Sequence, residues 1–518
     1  MKGKALMLFP FFVPEYVKNK MSTTSYYLYQ KYQQIGTGTP TPVYPEEYSY
    51  NGDGTMTPVV KSTQDPSCGY YEPQYRWVVS GYECVSGDTP STGYSRQYLT
   101  TVVESSEGNN MYFTFSISTS VTTGTVASVS YSLDNGSTWT TTYNTNGRGS
   151  TLAINTPMLS VGDRVLWKGE GINYRNCYLI GNNQKFSLEG NIMSLLYGDN
   201  FVGETDLTNH REAFMGLFSV AEDKLINAEH LVLPATTLGY YCYYSMFANC
   251  SGLTKAPELP ATIMDECCYT NMFRGCSSLT VAPALPATIL GEFCYMYMFH
   301  GCTSLTTAPS LPATTMEEAC YEGMFNGCTS LTTAPVLSAT TLAGSCYEDM
   351  FRGCTSLITS PALPATTLAG RCYLGMFYGC TSLTTAPYLR ATTLAGDCYN
   401  SMFRGCTSLT TAPELPATTL AVGCYEGMFY GCTSLTTAPV LSASTLVSYC
   451  YRAMFKGCTS LNYIKCLATV NPSNISYPTD DWVYNVSYTG TFVKDASSSI
   501  WSRGSSGIPT GWTVQDAS

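Results

Sequence analysis

Arg274, His300, Asn326, Arg352, Tyr378, Arg404, Tyr430 and Lys456 follow Ala248 at a constant interval of 26 residues. Guanidinium, imidazole, amide and phenol groups set in one row can stack on sugar rings and hydrogen-bond their hydroxyls. A second row lies four residues earlier and reads Tyr244, Thr270, Met296, Glu322, Glu348, Leu374, Asn400, Glu426 and Arg452. Both rows vary from copy to copy while the residues around them are nearly fixed. Such variation marks either a binding face or a solvated surface, and in the second case pairs such as Glu348 and Arg352 add only a little i,i+4 support. Tyr388 and Arg390 replace the commoner Glu-Leu-Pro or Ala-Leu-Pro turn and make a second candidate patch.

Groupings that could do catalysis are nearly absent. His210, His230 and His300 match no metal-ligand or triad spacing, and no P-loop or HExxH run occurs. Glu317-Glu318 and Glu348-Asp349 read as solvated residues. No enzyme, cofactor or metal site is therefore expected. The carboxylates of a glycosidase leave little trace in a sequence, which keeps a capsule polysaccharide depolymerase as an alternative.

The frame that positions the rows is a repeat. Its Met-Phe pair recurs at Met246, Met272, Met298, Met324, Met350, Met376, Met402, Met428 and Met454, and one unit runs from Leu363 to Tyr388. Self-similarity at such a period is the signature of a solenoid, in which each coil covers the apolar face of the next. Within the unit, Cys372, Met376 and Cys380 stand at i, i+4 and i+8, which predicts a short helix with this stripe inward. Gly379 predicts a turn at its end. Ser382-Leu383-Thr384-Thr385 predicts a strand closed by Pro387, and Ala391-Thr392-Thr393-Leu394 a second extended side. The expected class is mainly β with short helices: N-terminal β modules or a β-sandwich, then a solenoid of nine 26-residue coils and a C-terminal cap.

Of the 23 cysteines, two columns belong to the repeat, from Cys242 to Cys450 and from Cys250 to Cys458. A small polarizable side chain suits a tight interior column, so packing is preferred over zinc or regular disulfides. Cys68 and Cys84 stand apart, and a bridge between them is left open.

Only 12% of residues are charged and the net charge is −11, which leaves no broad basic surface for nucleic acid. Forty-one tyrosines describe a neutral, hydroxyl-rich surface suited to extracellular or virion proteins. Lys2 and Lys4 precede an apolar stretch, Ala5 to Val13, that superficially resembles a signal peptide within residues 1–20 but is interrupted by Pro10. The stretch is too short to span a bilayer, so no membrane insertion is expected.

Residues 1–97 read as a Tyr/Pro-rich attachment region with small β modules, such as Tyr26-Tyr27-Leu28-Tyr29 before the turn Asn51-Gly52-Asp53-Gly54. Residues 98–200 read as a β-sandwich: Val129, Tyr131 and Leu133 alternate before Asp134-Asn135-Gly136-Ser137 and Trp139, a hairpin signal. Tyr112 to Ile117 and Val165 to Trp167 supply further strands. Residues 201–238 form the N-terminal solenoid cap, with Leu217-Phe218 near the Met-Phe position. The nine coils span 239–462, and residues 463–518 form the C-terminal cap.

The run Met-Phe-x-Gly-Cys-Thr-Ser-Leu-Thr-Thr-Ala-Pro, in nine consecutive copies, resembles the BspA-type (Treponema pallidum-type) leucine-rich repeat, with its Phe-x-Gly-Cys-x-x-Leu core. This unit carries an extra Pro-Ala-Thr-Thr segment and is slightly longer than the usual one. The stretches Leu188 to Phe201, Gly507 to Val514 and Cys68 to Trp77 are similar to segments that accompany such repeats in gut anaerobes and their phages. The resemblance implies surface adhesion and brings no catalytic residues.

The expectation is a non-catalytic adhesion or receptor-binding protein: a phage virion fibre or spike at the virion surface. Its repeats would meet a bacterial surface polysaccharide or protein receptor, and its N-terminal region other virion proteins, with homo-oligomerisation left open. A bacterial cell-surface adhesin binding host or matrix components is the alternative.

Overall fold

The computed structural model describes residues 26–36, 48–51, 55–58, 75–86, 94, 96–118, 127–144, 151–170 and 177–517. The chain divides into two compact units, Met1–Arg96 and Gln97–Ser518. In the first unit, β1 (Tyr26–Gly36), β2 (Tyr48–Asn51), β3 (Thr55–Pro58) and β4 (Tyr75–Ser86) make two antiparallel pairs, β1 with β4 and β2 with β3. The expected Tyr26 strand is thus present. The signal-like residues 1–20, the Asn-Gly-Asp-Gly turn beyond Asn51 and Cys68, with its bridge to Cys84, lie outside the described residues.

The second unit begins with β5 (Leu99–Ser106), β6 (Tyr112–Ser118), β7 (Ala127–Ser132), β8 (Thr140–Asn144), β9 (Thr151–Asn155), β10 (Arg164–Glu170), β11 (Tyr178–Asn182) and β12 (Gln184–Asn191). A short helix, α1 (Ser194–Tyr197), follows, then β13 (Asp206–Leu207) and β14 (Leu225–Val232). One sheet has the order β14-β12-β5-β10-β7-β8 and the other β11-β6-β9. The two sheets meet through aromatic side chains. Phe113 of β6 stands edge-on to Phe186 of β12 at 5.2 Å, and Phe115 lies 5.5 Å from Trp167 of β10. The Trp167 indole N–H donates to Thr101 Oγ1 at 3.1 Å, so the largest buried ring leaves no orphan donor.

The loop between β7 and β8 turns through Asn135 (φ 57°) and Gly136 (φ 86°), two consecutive left-handed residues, where the Ser137 N–H donates to the Asp134 carbonyl at 3.3 Å. Leu133 and Trp139 fall in the turn rather than in the strands, and Leu133 is exposed.

β14 joins this sheet to the repeats. It pairs in parallel with β12, and Asn227 bridges Lys255 of the first repeat. β13 then pairs with β15 (Thr237–Leu238), which pairs with β16 (Ile263–Met264).

From here the repeats lie on one another through parallel bridges. Val281, Thr307, Thr333, Thr359, Thr385, Thr411, Thr437 and Tyr463 are joined successively, one bridge per repeat. The expected strand is therefore reduced to one ladder position, and the second extended side bridges only at places such as Thr341 to Thr367.

The expected short helix is not formed, and its absence has a clear cause. Arg371, Gly375 and Gly379 all sit in the left-handed region (φ 59°, 60° and 73°), four residues apart. A left-handed residue every fourth position breaks a helix and makes successive four-residue turns, with that residue at the third place that type II geometry requires. Cys372, Met376 and Cys380 still share the inner side because the turns also have a period of four.

The backbone donors divide in two. Cys372, Leu374, Met376, Tyr378 and Cys380 donate to the carbonyl three residues back, at 2.8–3.5 Å. Arg371, Tyr373, Gly375, Phe377 and Gly379 donate to Gly396, Cys398, Asn400, Met402 and Arg404 of the next repeat, at 2.7–3.0 Å. Every N–H of the segment is thereby satisfied without a helix.

Inside, the columns stack. Phe247 to Phe455 form a ladder of near-parallel rings, with Phe351, Phe377 and Phe403 at 5.7 and 5.6 Å. Tyr243 to Tyr451 form a second ladder. The Met column from Met246 to Met454 is fully buried.

The cysteines after glycine have a specific role. From Cys250 to Cys458, each thiol donates to the phenylalanine carbonyl of the preceding repeat, as Cys380 does to Phe351 at 3.0 Å. A thiol is small enough for the column and can still donate weakly. The 21 cysteines from Cys177 to Cys466 are free and buried.

Both ends keep this geometry. Phe214 stacks on Tyr243 and Phe218 on Phe247, at 5.6 and 5.3 Å, so Phe218 occupies the phenylalanine position. In the tail the period is lost but the turns continue, with Tyr477, Asp481 and Asn485 left-handed and Trp482 stacked on Tyr451. β17 (Tyr463–Cys466), β18 (Thr491–Lys494) and β19 (Thr513–Asp516) pair in parallel there. Among the described residues, no helix is long and apolar enough to cross a membrane.

Candidate functional site

The outer row is positioned by the turn preceding the second cysteine. The N–H of Gly275, Gly301, Gly327, Gly353, Gly379, Gly405 and Gly431 donates to the carbonyl of His300, Asn326, Arg352, Tyr378, Arg404, Tyr430 and Lys456, at 2.7–2.8 Å. Asn249 does the same for Arg274 at 2.6 Å. These bonds hold the row's backbone in register, so its side chains follow one another at one repeat each.

From Arg352 onward the row becomes a stack of cations and rings. The Arg352 guanidinium carbon lies 4.4 Å from the Tyr378 ring centroid. That of Arg404 lies 5.3 Å from Tyr378 and 4.2 Å from Tyr430. Lys456 Nζ lies 5.2 Å from the Tyr484 ring in the tail. Sequence reasoning stopped at Lys456; Tyr484 was hidden because the tail departs from the 26-residue period. Its signal was the Asp481-Trp482 pair, where Trp482 fills the aromatic column.

This arrangement corrects one expectation. Tyr378 has guanidinium groups from the repeats on either side of it, so its faces are not free platforms for sugar stacking. Its ring edge and hydroxyl, and the N–H edges of the arginines, are the groups this stacking leaves for other contacts.

Arg352 donates to Asp349 Oδ2 at 3.0 Å, and Lys456 to Asp481 Oδ2 at 2.8 Å. Lys456 holds the Asp481 carboxyl below the usual carboxylate range. Among the described residues, Arg404 has no carboxylate within ion-pair distance.

The earlier half of the row is different. Arg274 is exposed, whereas His300 and Asn326 are half-buried. Burial, followed by the nearby Arg274 charge, pushes the His300 pKa down, which favours the neutral imidazole. Tyr388 is 74% exposed and Arg390 is exposed, either side of the buried Leu389. Among the described residues, neither makes a ring or ion-pair contact with the row.

The second row is only partly outward. Thr270 and Glu348 are buried, and Glu348 pairs with Arg371 of the next repeat through two bonds of 3.0 and 2.6 Å, not with Arg352. The reason is again the turn geometry, which places i and i+4 differently from a helix. Desolvation raises the pKa of Glu322 and of Asp349. Among the described residues, no group of three His, Cys, Asp or Glu could hold a metal ion.

Parallel-bridged repeats, each with a buried leucine such as Leu383 before the bridge, make up this part of the chain. Residues 236–384 and 375–478 match the model of the BspA type leucine rich repeat region, in six copies. This part of the chain is a BspA-type leucine-rich repeat region, in agreement with the resemblance carried by Met-Phe-x-Gly-Cys-Thr-Ser-Leu. No curated protein and no solved structure matches the chain.

Proposed function

We propose that the protein is a non-catalytic binding scaffold: a solenoid of nine 26-residue coils that presents the Arg352–Tyr430 stretch of its outer row to a surface receptor. The observation that carries this reading is the contrast between the row and its support. Gly-to-carbonyl bonds of 2.7–2.8 Å fix the backbone, while the side chains differ from copy to copy. A fixed frame with variable outward groups is what recognition by repeat proteins needs.

The setting we propose is a phage virion fibre or spike. The N-terminal unit Met1–Arg96 would serve attachment to other virion proteins, and the unit that bears the repeats would meet the bacterial surface. The division into two units supports such a sharing of tasks. Tyr378, Arg404 and Tyr430 changed together to Ala are expected to weaken attachment to target cells while the unfolding midpoint stays close to that of the parent. Unchanged attachment would move the contact elsewhere. Finding the native protein in purified virions supports the virion setting. Recovery of a processed form from a bacterial envelope fraction would replace it by a cell-surface adhesin, and release of oligosaccharide from capsule by a depolymerase.

A further inference from the structure

We infer that the row recognises an acidic linear polysaccharide with one charged sugar in every two, with Arg404 as its anion anchor; this rests on the outer row being the binding face. Three observations converge. Arg404 lies between Tyr378 and Tyr430, at 5.3 and 4.2 Å, and no carboxylate neutralises it among the described residues. A guanidinium placed between two rings can turn its N–H edge to a planar carboxylate, which it can grip through two parallel bonds.

The cations also alternate with rings: Arg352, Tyr378, Arg404, Tyr430, Lys456, Tyr484. Successive cations are therefore two repeats apart, roughly 10 Å at the spacing of parallel ladders. That is close to the length of a disaccharide in an extended polysaccharide, so a carboxylate on every second sugar meets a cation at every second repeat. The tyrosine hydroxyls between them face the neutral sugar.

Other polyanions fit this spacing poorly. Duplex DNA carries a charge about every 1.7 Å along its axis, far denser than this row. In an extended peptide, side chains on one face recur at about 6.6 Å, which falls out of step with the cations after one interval. Lys456 pairs with Asp481 at the surface, a pair of small net worth, and Arg352 pairs with the half-buried Asp349; each cation retains further N–H donors.

The test uses the full-length protein and three immobilised probes: an alternating glucuronate–N-acetylhexosamine polysaccharide, the same polymer with its carboxylates reduced to alcohols, and polyglutamate. Only the first should bind, and added salt should weaken it. Arg404→Gln should weaken it roughly tenfold, as loss of a charged hydrogen-bonding partner does. Lys255→Gln, an exposed cation outside the row, should bind as the parent does. A thermal melt close to that of the parent for Arg404→Gln excludes misfolding.

Equal binding of the carboxyl-reduced polymer, or an unchanged affinity in Arg404→Gln, overturns the inference. Tighter binding of polyglutamate overturns it in favour of an acidic protein. If none of the probes binds, the inference fails, and cell attachment by the triple variant then decides separately whether the row is the binding face.

Discussion

Arg404 holds its guanidinium carbon 4.2 Å from the ring centroid of Tyr430. Both residues are half-buried, and contacts of this kind contribute about 0.5–1 kcal/mol when exposed and about 2 kcal/mol when desolvated. A double-mutant cycle with Arg404→Gln and Tyr430→Leu, read by urea unfolding, should return a coupling in this range. Strict additivity of the two single changes would show that the stack makes no energetic contribution.

The buried stripe predicts a much larger effect. Met376 is fully buried between its ladder neighbours, so Met376→Ala should destabilise by about 2–5 kcal/mol through lost contacts and a residual cavity. A change below about 1 kcal/mol would mean that the repeats collapse around the gap.

The two left-handed glycines of one repeat should differ. At Gly379 (φ 73°) an added Cβ would meet Gly353 at 3.8 Å, an ordinary contact, so Gly379→Ala should cost about 1–2 kcal/mol from the backbone alone. At Gly375 (φ 60°) it would lie 2.1 Å from Asp349 Oδ1. Gly375→Ala must also displace that carboxylate, and should be the more damaging of the two. Asp349→Gly in the same chain should recover part of the difference.

Burial pushes the Cys380 thiol up from 9.0 to about 12 and drives its neighbours in the column the same way. The folded state therefore favours the protonated thiol. Below the unfolded value both states hold the proton and the stabilisation is complete. Between about 9 and about 12 only the unfolded chain loses it, so stability falls as pH rises. Urea midpoints should drop between about pH 8 and about pH 10, and thiol reagents should label this column only on unfolding. Stability that rises over this interval would contradict the burial of the column.

Much of the frame was legible in the sequence. The period, the inward Cys372–Met376–Cys380 stripe and the β-rich stretch around Asn135-Gly136 all follow from residue type and spacing. The turn geometry was not, because an i, i+4, i+8 stripe is compatible with a helix of 3.6 residues per turn and with turns of four. Gly375 and Gly379, both poor helix residues, were the discriminating signal. The row from Arg274 to Lys456 was legible as a row. That guanidinium groups would occupy the tyrosine faces depends on rotamers across neighbouring repeats, which spacing does not encode. The partial burial of the Thr270–Glu348 row was hidden for the same reason, since Arg371 of the next repeat reaches back to cover Glu348.

The donors that Arg371, Tyr373, Gly375, Phe377 and Gly379 hand to the following repeat are backbone groups, indifferent to which side chain stands in the outer row. Whole units can then be gained or lost by duplication or deletion, with these backbone bonds re-formed at the new junction. Single outer residues can likewise change without disturbing the stack. How far the molecule extends and what it grips are in this way inherited separately, the first as a number of units and the second as an ordered string of side chains.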